Sequence, residues 1–380
     1  MLYLHSSAGR YGADRQLLSI AGGLDRARYR PIVVLPARGE LGRLLDEAGV
    51  ETHVRPLAVL RQGLVSINGL VGLSARLRRD VRELRSLPGA DDVSLVHSNT
   101  SVVLSGQPVA SALGARHLIH VREIYAGAGG AVASRLWPLL RARLLHADAL
   151  ACVSGAVARQ FGESPQAFVL YDGLPAPPVA PSRSQARRAL GLSEHVFVVA
   201  LLGRVSAWKG QDVLAHALAD PALSEAVGLV AGDAFPGEER HEMAIADLRD
   251  RLGLGERLRL LGFREDTPNV LAASDVVAVP STRPDPLPNS AIEAALAGLP
   301  VVAAAHGGLP EIVQDGETGL LVTPGDPAAL AGALHELATD PARRARMGEA
   351  AGRHARTLFS VERMLVDIQE RYDALLSPAA

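Results

Sequence analysis

The 380-residue chain is long enough for two domains, each burying a core of its own. Its composition is 48% hydrophobic and 21% charged, and no stretch supplies the ~20 uncharged apolar residues of a membrane-spanning helix. A formal net charge of −2 excludes nucleic-acid binding by bulk charge, and the single Cys152 excludes an internal disulfide.

The first residues, MLYLHSSAG, offer neither a basic n-region nor a long apolar h-region. No signal peptide is expected, and the expected setting is reducing and cytoplasmic. Apolar runs then alternate with helical patterns. LYLH from Leu2, PIVVL from Pro31, SLVHSN from Ser94, HLIHV from His117, ALACVS from Ala149 and FVLY from Phe168 fill the first half. VFVVALLG from Val196, VGLVAGD from Val227, LRLLGF from Leu258, DVVAVPS from Asp275, VVAAA from Val301 and GLLV from Gly319 fill the second. Continuous apolar runs separated by helices read as buried parallel strands, so the fold class is α/β with two doubly wound domains.

The loop after the first strand, SSAGRYGADRQLL, has Gly9 and Gly12 bracketing the entry to a helix that begins near Ala13. Over 70–87, Leu70, Leu73, Leu77, Val81, Leu84 and Leu87 recur at helical spacing, with Arg76, Arg78, Arg79, Arg82 and Arg85 between them. That pattern fits a core-packed helix with a solvated basic face; the alternative is a surface for anionic lipid, at the inner membrane face, or for a lipid diphosphate. Residues 173–184, GLPAPPVAPSRS, are proline-rich without apolar periodicity and read as a linker. The expected organisation is therefore a first domain over 1–172, a linker over 173–184, a second domain over 185–358, and a C-terminal helix within 359–380.

The second half carries the chemistry. GRVSAWKG follows a strand: Gly203 permits a sharp turn, Arg204 offers a planar fork and Lys209 a mobile charge, together able to neutralise a diphosphate. The plainer alternative is two surface cations near a helix start. STRPDPLPNSAIEAALAGLPVVA, over 281–303, leaves a strand and enters a helix near Pro288. The N–H groups of Asn289 and Ser290 then point out of a helix N-terminus, a natural phosphate site. Asp285 and Glu293 both suit vicinal hydroxyls of a ribose or hexose, unless Asp285 merely fixes a turn and Glu293 is a solvated helix residue. Gly307 and Gly308, ahead of Pro310, permit close backbone approach to a ligand or form a plain turn. No His, Cys and carboxylate cluster has metal-ligand spacing, so neither a metal nor a cofactor is expected.

The ordered set GRVSAWKG, VAGD, LRLLGFREDTPNVLAASDVVAVPS, DPLPNSAIEAALAGLPVVA and HGGLPEIVQDGETGLLVTPGD resembles the C-terminal domain of the large retaining GT-B glycosyltransferase family with the E-x7-E motif. YGADRQLL, ACVSGAVARQF and VLYDGLPAP resemble its first domain less closely. The resemblance implies two Rossmann-like domains facing across a cleft. It also implies a nucleotide-diphosphate sugar as donor and a hydroxyl acceptor, with retention of anomeric configuration. Glu293 then binds the ribose, Asp285 the transferred sugar, Arg204 and Lys209 the diphosphate, with Gly12 beside the phosphates. The chain departs from the family in having Asp285 for Glu, Pro288 for Gly, Tyr11 for one of a glycine pair, and Arg122–Glu123 for a His-Asp pair. The resemblance puts the acceptor on the first domain and the donor on the second, with His120, Arg122 and Glu123 on the acceptor side; His120 precedes Arg122 by two and points the same way on an extended strand. An epimerase on the same fold and a non-catalytic sugar-nucleotide binder are the rival readings.

Overall fold

The structure is a computed structural model that describes residues 1–9, 12–60, 67–125 and 131–377. The chain divides into two compact units, Met1–Gly173 with Val361–Ala380, and Leu174–Ser360.

In the first unit, strands β1 (Leu2–Leu4), β2 (Ile32–Leu35), β3 (Glu51–Val54), β4 (Leu95–Ser98), β5 (Arg116–Val121), β6 (Ala149–Cys152) and β7 (Ala167–Val169) form a parallel sheet in the order β3-β2-β1-β4-β5-β6-β7. Helices α1 (Gly12–Gly23), α2 (Glu40–Glu47), α3 (Ile67–Arg85), α4 (Gly106–Leu113), α5 (Ala131–Leu144) and α6 (Gly155–Arg159) connect them. Leu17, Ile20, Leu41 and Leu45 pack on one face of the sheet, and Leu84, Leu87, Val109 and Ala110 on the other. Strands covered on both faces need apolar residues throughout, which is why β1, β2 and β4 read as continuous runs. Strand β3 has the sequence ETHV and only partial burial. It lies at the sheet edge, where one flank is solvated and no apolar run is needed.

Helix α3 covers the basic segment. Leu84 and Leu87 are buried, while Arg76, Arg78, Arg82 and Arg85 are exposed; the side chain of Leu70 lies outside the described residues. This is the core-packed arrangement with a solvated basic face.

The second unit holds α7 (Arg183–Ala189), β8 (Val198–Leu202), α8 (Gln211–Leu218), β9 (Val227–Ala231), α9 (Arg240–Arg251), β10 (Leu258–Leu260), α10 (Thr267–Ala273), β11 (Val276–Val279), α11 (Asn289–Leu296), β12 (Val301–Ala304), α12 (Leu309–Ile312), β13 (Gly319–Val322), α13 (Pro327–Thr339) and α14 (Pro341–Leu358). Its parallel sheet runs β10-β9-β8-β11-β12-β13. Helix α7 starts inside the segment read as linker. Ser182 accepts from Gln185 N–H while the Gln185 side chain accepts from Ser182 N–H, a reciprocal cap that makes Arg183 and Ser184 helical.

The amino ends of the central strands are tied by Arg187, whose side chain is fully buried. It donates to Ala273, Ser193, Glu194 and Val196 carbonyls and to Asp275 Oδ2 at 2.8 Å. Asp275 in turn accepts from Val198 N–H at 2.8 Å. The opposite, carboxyl ends are thereby left to the loops. The last helix, α15 (Val361–Leu376), belongs to the first unit, where Met364, Ile368 and Tyr372 join the cluster around Leu17 and Ile20.

Candidate active site

Strands β8 and β11 are neighbours, but β8 leads outward to β9 and β11 outward to β12. Loops at their carboxyl ends therefore diverge, leaving the crevice in which open α/β sheets take ligands. The loop after β8 begins at Gly203, whose φ of 136° favours glycine. A Cβ on Gly232 would lie 2.1 Å from the Gly203 carbonyl oxygen, so the loops after β8 and β9 touch backbone to backbone. The Arg204 guanidinium carbon sits 3.1 Å from the centroid of the Phe235 ring.

The same loop is pinned to the one after β11. A Cβ on Gly210 would meet the Pro280 carbonyl oxygen at 2.1 Å, and Thr282 N–H donates to the Trp208 carbonyl at 2.8 Å. This brings Lys209 Nζ to 2.5 Å from Asp285 Oδ2. A third loop, after β12, closes on the same residue: Gly308 N–H donates to the Asp285 carbonyl at 2.8 Å. Gly307, with φ 61°, leaves no room for a Cβ, which would lie 2.2 Å from that oxygen. Asp285 is thus held by loops from three strand ends, its carboxylate almost wholly buried and its charge offset by Lys209.

Helix α11 begins immediately beyond. Pro288 caps it in extended conformation without a side-chain hydrogen bond, Asn289 and Ser290 are half-buried in its first turn, and half-buried Glu293 lies one turn further. The structure therefore gathers Gly203, Arg204, Lys209, Asp285, Asn289, Ser290, Glu293, Gly307 and Gly308 on loops and a helix start at one edge of one sheet. The direct Lys209–Asp285 pair was not foreseen, because it joins two motifs 76 residues apart.

In the first unit, Gly12 opens α1, while Tyr11 lies outside the described residues. His120 is fully buried at the end of β5, and Arg122 NH2 lies 3.3 Å from its Nδ1, as their spacing of two predicts. Arg122 donates to both Asp172 oxygens at 2.6 Å and to the Asn99 carbonyl at 3.2 Å. Glu123 accepts from Arg122 N–H at 3.1 Å and from the Ser101 hydroxyl. Burial raises its carboxyl above the usual range, against those hydrogen bonds. Burial likewise raises Asp172, opposed by Arg122. His5 joins this edge, with Nε2 2.8 Å from Asp14 Oδ1 and Nδ1 3.1 Å from Asn99 Nδ2. Sequence reasoning missed His5, Asp14, Asn99, Ser101 and Asp172. Their shared signal is a polar side chain at or just beyond the carboxyl end of a buried strand, or in the helix turn facing it.

Two doubly wound units, with charged loops at the carboxyl ends of the second sheet, define the GT-B architecture. Residues 182–354, a little under half of the chain, match the family model described as glycosyl transferases group 1. The D-inositol 3-phosphate glycosyltransferases of Salinispora tropica and Corynebacterium efficiens are both 41% identical, over 49% and 45% of this chain. Those matches span 40% and 42% of the relatives' own lengths, less than half. Among solved structures, Anabaena HepE in complex with UDP and glucose is similar with a TM-score of 0.82 and 28% identity, covering 98% of this chain and 99% of that one. A glycosyltransferase from Rickettsia africae has the same fold, with a TM-score of 0.82 at 18% identity over 100% of this chain and 99% of that one.

Proposed function

We propose that the chain is a retaining glycosyltransferase that moves a hexose-type sugar from a nucleotide-diphosphate sugar to a hydroxyl acceptor. The observation that carries this reading is the convergence of the Lys209–Asp285 pair and the α11 N-terminus at the β8–β11 crevice. The family match over 182–354 supports it. Uridine is the proposed base, since HepE was solved with UDP and with UDP-glucose.

In this reading Glu293 accepts hydrogen bonds from the ribose hydroxyls and Asp285 from the transferred sugar. Arg204, Lys209 and the Asn289 and Ser290 N–H groups face the diphosphate. Gly203 keeps a side chain out of its way, while Gly307 and Gly308 let the loop after β12 close on Asp285. The carboxyl ends of β4 and β5, with Arg122 and Glu123, serve the acceptor. The bond from the anomeric carbon to the phosphate oxygen breaks while the bond to the acceptor oxygen forms on the same face. The acceptor's proton passes to the departing phosphate oxygen. No protein nucleophile takes part; the site's work is fixed charge aimed at the leaving diphosphate. Lys209 offsets Asp285, so a carboxylate near the diphosphate repels it less.

Proton NMR of the first product from UDP-glucose and a panel of alcohols tests the reading. The expected product keeps the donor's anomeric configuration. An inverted linkage, or conversion of the donor without any acceptor, overturns it.

A further inference from the structure

Two neighbouring strand ends beside Asp285 present polar groups that the protein leaves unsatisfied. Ser281, directly beyond β11, is fully buried, and its Oγ has no hydrogen-bond partner among the described residues. His306, directly beyond β12, is half-buried; its Nδ1 and Nε2 are both shielded from solvent, and both lack a partner among the described residues. Buried polar groups are nearly always paired, and an unmade bond there is costly. The backbone cannot relieve it easily, because the loop is tied on both sides. Ala305 N–H donates to the Val322 carbonyl at 2.8 Å, His306 N–H to Ala304 at 2.8 Å, and Leu309 N–H to the His306 carbonyl at 3.3 Å. The next residue, Gly307, packs against the Asp285 backbone.

A neutral imidazole offers one donor and one acceptor, the complement of a sugar hydroxyl, which is also both. The nearest proposed ligand group is the sugar, because the His306 loop rests on Asp285. The diphosphate is assigned to the loop after β8 and to α11, and the ribose to Glu293. We infer that His306 is a specificity-determining residue that reads a hydroxyl of the donor sugar, an inference that rests on the donor reading of this site. The sugar hydroxyl supplies the hydrogen bonds that the described residues do not.

Calorimetric titration of wild type, His306→Leu and His306→Gln with UDP and with UDP-glucose, UDP-galactose and UDP-N-acetylglucosamine tests this, alongside thermal melting of the free proteins. His306→Leu should bind UDP within about twofold of wild type. It should lose about tenfold or more toward the UDP-sugar that wild type binds best, as expected for one lost pair of hydrogen bonds. Its free form should melt close to wild type, because no side-chain hydrogen bond to a described residue is lost. His306→Gln should change the ranking of the three sugars. Unchanged UDP-sugar affinity in His306→Leu overturns the inference, and so does an equal loss for UDP and UDP-sugar, which marks a merely structural role. If His306→Leu does not fold, an unchanged ranking in His306→Gln overturns it. Wild type that binds none of these ligands fails the donor reading itself, and the inference with it; wild type that binds them while the variants match it fails the inference alone.

Discussion

Replacing Lys209 with methionine strips the partner from a carboxylate that has little access to water. The Asp285 side chain is 7% exposed and that of Lys209 22%, with 2.5 Å between Nζ and Oδ2. One charge-assisted hydrogen bond contributes about 1.5–3 kcal/mol, and stranding one member of a fully buried pair costs about 3–5 kcal/mol. Partial exposure on the lysine side screens the pair, so Lys209→Met should destabilise by about 2–3 kcal/mol. Asp285→Asn leaves an ammonium that can turn toward water and an amide oxygen that still accepts, so its cost should be near ~1 kcal/mol. In the double variant the two losses should fall short of additivity by about 1–2 kcal/mol. Trp208, 4.5 Å from Lys209 Nζ by its ring centroid, gives a local fluorescence signal for urea unfolding once Trp137, the other of the two tryptophans, is changed to phenylalanine. Additive losses, or a larger cost for Asp285→Asn than for Lys209→Met, would refute the pairing and its asymmetry.

Arg187→Ala should destabilise the second unit by about 2–4 kcal/mol, since the Ala273, Ser193, Glu194 and Val196 carbonyls lose their donor, at about 1–3 kcal/mol for each that stays dry, while Asp275 keeps Arg183, Arg344 and the Val198 N–H; urea unfolding followed through Trp208 in the same background checks this. Stability of the first unit should fall as pH drops from about 6.5 toward 4, because burial holds His117 down to about 4 and keeps His97 and His120 well below their ordinary value. The unfolded chain takes up these protons first, so the loss approaches ~1.4 kcal/mol per pH unit for each imidazole. Glu123 and Asp172, raised by burial, work in the opposite direction by gaining protons first in the folded state. The clean readout is therefore a difference: His117→Gln should show a shallower fall in melting temperature across that window than wild type, and parallel curves contradict the assignment.

Strands covered on both faces were legible because burial writes itself as an unbroken apolar run, as in Val198–Leu202 and Val227–Ala231. The edge strand Glu51–Val54 was not, since a half-solvated strand tolerates Glu, Thr and His. The site's members were legible as motifs, each on a loop leaving a strand, but their contacts were not. Sequence order cannot say that Gly210 fits only against the Pro280 carbonyl, or that this close approach delivers Lys209 to Asp285. In the first unit the arginine of HVREIY was visible, whereas its anchor Asp172 comes 50 residues later, with no local pattern to tie the two. The C-terminal helix was expected, yet its docking on the first sheet depends on shape complementarity to Tyr3, Leu17 and Tyr29.

Calorimetric titration of UDP into wild type, Glu293→Gln and Asp285→Asn tests most directly whether the β8–β11 crevice is a nucleotide-sugar site. Wild type should bind UDP. Glu293→Gln should bind it about tenfold more weakly, equivalent to ~1.4 kcal/mol for one weakened charge-assisted contact to the ribose. Asp285→Asn should bind UDP nearly as wild type does while turning over the intact donor more slowly. Loss of UDP binding in Asp285→Asn with unchanged binding in Glu293→Gln would reverse the two roles, and no binding of UDP or any other nucleoside diphosphate by wild type would contradict the site itself.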